Sequence, residues 1–131
     1  MPKDHPYPMR NELNPEVLLG NLAQFTGTTQ YYQITARSVL TDGAKYLADA
    51  AGCYWLMDAI ASHLAGLPES AGFAHCTLRL DGQAAELVID DGNGGRLGFQ
   101  YIEWTDFPLP EIKVFACWSG NFWVVMLPSE Y

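Results

Sequence analysis

The chain has 131 residues, 49% of them hydrophobic and 13% aromatic, with seven Lys and Arg against fifteen Asp and Glu for a formal net charge of −8. That length fits one domain with a core of its own, and the apolar content argues against a disordered chain. The acidic balance argues against direct binding to a nucleic-acid backbone, which needs cationic neutralisation, and no run approaches the ~18 apolar residues of a membrane-spanning helix.

Residues 1–13 are proline-rich and polar, with no apolar stretch of the kind that leads a secretory signal, and read as a flexible arm before a single domain over 14–131. A cytoplasmic setting is the expectation. Asn14-Pro15-Glu16 then supplies an N-cap, a proline at the first helical position and a first-turn acid, opening a helix over about 15–24. Thr26-Gly27-Thr28-Thr29 is loop chemistry, and Gln30–Thr35 is rich in β formers, which suits an edge strand or an extended segment lying on the sheet.

Thr41–Gly66 is the longest helical signal. Leu47, Ala51, Tyr54, Met57 or Asp58, Ala61 and Leu64 recur at three- and four-residue steps and share one helix face. Thr41 and Asp42 can accept backbone N–H groups at its start. Gly52 stands in its middle, where glycine costs about 1 kcal/mol relative to alanine, so a kink or a tight break is expected there within the helical span 42–65. Asp58 falls close to the apolar stripe, and a buried carboxylate there would hold a loop or face a groove.

From Phe73 the apolar period changes to two. Cys76, Leu78 and Leu80 alternate with His75, Thr77 and Arg79; Asp81-Gly82 is a hairpin turn, and Ala84–Ile89 returns the chain. Asp91–Gly95 makes the next turn, Arg96–Trp104 the third strand, and Ile112–Trp118 and Phe122–Leu127 two more. The expected fold is α+β: a five-stranded antiparallel meander over about 73–127 packed against the helices. The last two strands are apolar on both sides of the pleat, so a second cover is expected over them, either the arm with the first helix or another copy of the chain in a homodimer.

Chemical motifs are sparse. Asp90-Asp91-Gly92-Asn93-Gly94 is oxygen-rich but lacks the acid spacing and the closing glutamate of a calcium loop, and reads as a glycine-rich turn. His75 and Cys76 are strand neighbours on opposite faces, and His63 stands near a helix end; neither has metal-ligand spacing. Cys53, Cys76 and Cys117 lie in apolar runs, as reduced, buried thiols do. No nucleophile elbow, zinc-helix or phosphate-loop pattern is present. No catalytic residue, metal or cofactor is therefore expected.

Several segments together carry a family resemblance: Phe25-Thr26-Gly27-Thr28, Thr41–Ala48, Ala51–Asp58, Asp90–Gly94, Trp104–Leu109 and the closing Leu127-Pro128-Ser129-Glu130-Tyr131. Over 25–131 the chain resembles a bacterial family of uncharacterised domains often carried on phages, plasmids and other mobile elements. The resemblance implies a bacterial cytoplasmic setting and a mobile-element role, and brings no activity or catalytic residue.

The charge is concentrated. Seven acids and one base between Asp81 and Glu111 leave that stretch at −6. The expected function is a non-enzymatic interaction protein that binds a protein partner through Asp81, Glu86, Asp90, Asp91, Glu103 and Asp106, with a sharper variant in which these acids mimic nucleic acid and inhibit a nucleic-acid-binding host defence protein, as anti-CRISPR proteins do. Direct contact with nucleic acid or membrane is not expected. The alternatives are a small enzyme or ligand binder with a cleft between helix and sheet, lined by Tyr54, Trp55, Asp58, His63 and Trp104, and a structural homodimer subunit.

Overall fold

The computed structural model describes residues 14–131; the expected arm lies outside the described residues. The first helix, α1 (Pro15–Leu22), is capped as its sequence requires, with Asn14 Oδ1 accepting the Glu16 N–H at 2.7 Å. It buries Leu18 and Leu22 and leaves Val17 and Leu19 exposed. Two short strands follow, β1 (Tyr32–Thr35) and β2 (Ser38–Leu40). The long helical stretch is divided in two, α2 (Asp42–Ala51) and α3 (Tyr54–Ala65). Gly52, with φ 63°, closes α2 in the left-handed conformation that glycine adopts without a Cβ penalty, so the expected interruption is a break. Both halves still face one core. Met57 is fully buried and Asp58 is exposed, so of the two candidates for that step of the stripe it is Met57 that faces the core, and Asp58 near it is not a buried carboxylate: the break re-phases α3 by the two residues between the helices.

The remaining strands are β3 (Phe73–Asp81), β4 (Ala84–Asp90), β5 (Arg96–Ile102), β6 (Glu111–Trp118) and β7 (Trp123–Met126). All seven join one sheet in the order β1-β2-β7-β6-β3-β4-β5, antiparallel throughout except between β2 and β7. The α+β class holds, but the five-stranded meander does not. Only β3-β4-β5 and β6-β7 are meanders; β6 returns across the sheet to pair with β3 over Phe73–Arg79.

The physical cause lies in residues 103–110. Phe107 and Leu109 are 5% and 2% exposed, and burying them draws the connection over the end of the β3–β4 hairpin. The crossing is pinned by the Thr105 N–H on the Gln83 carbonyl at 2.7 Å and the Leu80 N–H on the Pro110 carbonyl at 2.9 Å. β6, apolar on both sides, thereby takes an inner place, and the more polar β5 is left at the edge. β2 is the other unanticipated strand, three residues being too short to show a period.

The helices cover one face of the sheet. Leu56, Met57, Ile60 and Leu64 of α3 share a cluster with Cys76, Leu78, Leu87 and Ile89 of β3 and β4. α1 lies on this same side: Asn21 donates to the Tyr46 hydroxyl at 2.8 Å, and the Phe25 and Tyr46 rings meet at 5.4 Å. It is therefore not the second cover expected over β6 and β7. The outer residues of those strands, Phe115, Cys117, Val124 and Met126, are half-buried. Phe73, His75, Phe115 and Tyr131 pack edge-to-face there at centroid separations from 5.3 to 5.6 Å. No helix among the described residues is long and apolar enough to cross a membrane.

Candidate functional site

The ladder dictates what each face presents. On the outer, helix-free face, β4 displays Glu86, Val88 and Asp90, and β5 displays Tyr101, Phe99 and Arg96 opposite them. β5 is a seven-residue edge strand with no neighbour on its outer side among the described residues, whereas the opposite edge, β1, has four residues; each edge pairing carries one register shift. Phe99, Tyr101 and Trp104 are 43%, 59% and 60% exposed along and just past β5. A long edge with exposed aromatics is uncommon on a surface that has no partner.

The six acids expected to form one surface separate into two groups. Asp81, Glu86, Glu103 and Asp106 gather around the β3–β4 turn, where Glu86 pairs with Tyr101 across the ladder and residues 103–106 cross. Asp90 and Asp91 sit at the far end of β4, about 20 Å from the turn and about 13 Å from Glu86 by strand rise. These two hold their own turn: Asp90 accepts the Gly92 N–H at 2.7 Å, and Asp91 accepts those of Asn93 at 2.8 Å and Gly95 at 2.9 Å. The Asn93 and Gly95 N–H groups keep the Asp91 carboxyl below the usual carboxylate range. Asp90 also faces His75 Nδ1 at 3.3 Å.

The five residues expected to line a cleft are dispersed. The Tyr54 hydroxyl donates to Asp49 Oδ1 at 2.6 Å at the start of α3, about 13 Å along the helix from His63. His63 packs over the bare backbone of Gly98, where an added Cβ would lie 2.9 Å from Nδ1, and its Nε2 meets Gln100 Oε1 at 3.1 Å. Trp55 leans half-buried on the core, while Asp58 and Trp104 face solvent. Between helix and sheet the space is filled by side chains that are 0–1% exposed. Among the described residues, no group of three His, Cys, Asp or Glu side chains is placed to hold a metal ion. Burial pushes the Cys76 thiol up to about 12, which leaves it a poor nucleophile at neutral pH.

The most heavily bonded polar cluster was missed in sequence. Glu130 reaches back to the start of α2, where Oε1 accepts the Thr41 hydroxyl at 2.6 Å and the Leu127 N–H at 2.9 Å, and Oε2 accepts the Gly43 N–H at 3.0 Å. A carboxylate at a helix N-terminus satisfies orphan donors and opposes the helix dipole. A Cβ on Gly43 would lie 2.5 Å from Oε1, so glycine is required there for the carboxylate to seat. Beside it, Asp42 Oδ2 accepts the Thr29 N–H at 2.8 Å and the Thr29 hydroxyl at 3.1 Å, and Oδ1 accepts the Tyr32 hydroxyl at 3.1 Å. The signals in sequence were the capping character of Thr41 and Asp42 and the occurrence of the Thr26–Thr28, Thr41–Gly43 and Pro128–Tyr131 segments together in the resemblance. They meet at the start of α2.

The Thr29 N–H, first among these contacts, lowers the Asp42 pKa below the ordinary carboxylate value. A depressed folded pKa means that the stabilisation is complete above the unfolded value and is lost as pH falls through the folded one. Urea denaturation of Asp42→Asn should therefore show a smaller loss of stability than the parent chain between about pH 5 and pH 3, and equal slopes would refute this role for Asp42.

Among the described residues, a seven-stranded sheet with three α-helices defines a small α+β domain. The chain belongs to the family described as "Family of unknown function (DUF6876)", which it matches over residues 16–131. No curated protein and no solved structure matches it.

Proposed function

We propose that this domain is a non-enzymatic binding module whose partner is a protein, engaged at the β5 edge through a basic extended segment. The observation that carries the reading is the coincidence of the unpaired β5 backbone, the exposed rings of Phe99, Tyr101 and Trp104, and the four acids around the β3–β4 turn. An extended peptide added to such an edge gains main-chain hydrogen bonds, aromatics supply desolvated contact area, and the acids select lysine or arginine side chains. A second copy of the chain at the same edge would bring two domains of charge −8 together. The setting we propose is a bacterial mobile element and the partner a basic, nucleic-acid-binding host protein; the engagement of Asp90 and Asp91 in their own turn favours strand addition over imitation of a continuous phosphate row.

The test is fluorescence anisotropy with a labelled peptide alternating lysine and valine, beside a matched glutamate–valine peptide. The lysine peptide should bind, weaken about tenfold as salt rises from low to near-molar, and lose about tenfold on the double change Phe99→Ala and Tyr101→Ala. Equal binding of the acidic peptide, or indifference to both changes, would remove the reading.

A further inference from the structure

The outer face holds a hollow of about 330 Å³ bordered by β6, β3 and β4 and, at one end, by Arg96 of β5. Its origin is a contrast in side-chain length. Thr77 stands opposite Val88 on one side and Lys113 on the other, so two short residues form a floor within longer ones. Thr77 lines the hollow, and its hydroxyl makes no side-chain hydrogen bond among the described residues and is not sealed from solvent, so it is open to an outside partner.

Most charges around this floor are engaged. Arg79 donates through Nε and Nη2 to Glu111 at 3.0 and 2.8 Å, His75 faces Asp90, and the Arg96 guanidinium lies 5.2 Å from the centre of the Phe99 ring. Two form no hydrogen bond or ion pair among the described residues: Lys113 on one side, whose charge helps to lower the Glu111 pKa, and Glu86 on the other, the cross-strand neighbour of Arg79; both border the hollow. They lie two strands and two residues apart, about 12 Å between Cα atoms, and leaning inward leaves a gap of a few ångströms.

We propose that this hollow binds a small zwitterion, a molecule carrying one carboxylate and one ammonium group, as free α-amino acids and short peptides do. The carboxylate meets Lys113 and the Thr77 hydroxyl, and the ammonium meets Glu86. A net anion would approach against the field of a chain with charge −8, and a net cation would find many other acids, whereas a neutral zwitterion is selected by the local pair of opposite charges. The volume is at the lower end of small-molecule sites, which suits one or two residues.

The test is an NMR titration of the ¹⁵N-labelled chain with alanyl-alanine, alanine, N-acetyl-alanyl-alanine and alanyl-alanine amide. Saturable shifts at the His75, Thr77, Val88 and Lys113 amides are expected with the zwitterions, and the stronger of alanine and the dipeptide identifies the natural size. Each capped form should bind about fivefold more weakly, as should the exposed-site variants Lys113→Ala and Glu86→Gln, whose spectra report intact folding. Equal affinity for a capped form, unchanged affinity of both variants, or no saturable shift with either zwitterion would overturn the proposal.

Discussion

Replacing Glu130 by alanine is expected to lower stability by about 2–3 kcal/mol, the cost of leaving charge-assisted hydrogen bonds unmade around buried donors, which corresponds to a fall in Tm of roughly 10 °C for a domain of this size. The loss would come from the start of α2, where the Thr41 hydroxyl and the Gly43 N–H, both on buried residues, would lose their carboxylate. Glu130→Gln should cost about half as much, since one amide oxygen can still accept. Gly43→Ala should be comparably harmful, because its Cβ would meet Oε1 at 2.5 Å and Leu127 Cδ1 at 2.7 Å and would expel the same side chain. The two changes act on one contact, so the double variant should be less destabilised than the sum by about 1 kcal/mol or more. Additive losses in urea denaturation would mean that Glu130 and Gly43 do not form a clasp.

Phe107→Ala is expected to cost more, about 3–5 kcal/mol, as for other buried aromatics truncated in a close-packed core. Phe107 is 5% exposed and anchors the segment that carries the chain from the β5 edge back to β3. Since a domain of this kind has roughly 5–15 kcal/mol in total, the variant should melt far below the parent chain, and its far-UV circular dichroism at 37 °C should show partial loss of strand. Trp104→Ala, three residues earlier, offers the contrast. Trp104 is 60% exposed, so its removal should change stability by no more than about 0.5 kcal/mol while weakening the lysine–valine peptide. If Phe107→Ala melts with the parent, the account of the crossover is wrong; if Trp104→Ala leaves binding intact, the ring does not belong to the proposed surface.

The relation between these neighbours also shows what could be read from the chain. Trp104 and Phe107 are both aromatic in a proline-bearing loop, and no periodicity separates the buried one from the exposed one. Met57 and Asp58 posed the same difficulty on a helix: the apolar stripe passed near both, and the two-residue interruption after Gly52 decided between them. For the candidate sites the gap is wider. Asp81, Glu86, Glu103 and Asp106 could be named as surface acids from charge alone, but that Asp90 and Asp91 are consumed by their own turn depends on backbone geometry. The facing of Lys113 and Glu86 across Thr77 and Val88 depends on which strands are neighbours, which the chain order does not state.

By itself, the sequence determined the local features of this protein. The Asn14 cap, the Thr41 start, the break at Gly52, the Asp81-Gly82 turn and the two-residue period of β3 and β4 each follow from interactions among residues a few positions apart, such as a cap, a left-handed φ or a pleat. Tertiary structure alone decided that β6 pairs with β3, that Ser38–Leu40 runs parallel to β7, and that Glu130 seats on Gly43. Those choices join residues 32 to 87 positions apart. They are settled by which arrangement buries Phe107, Leu109 and both sides of β6 at once, and that competition acts on the whole chain rather than on any window of it.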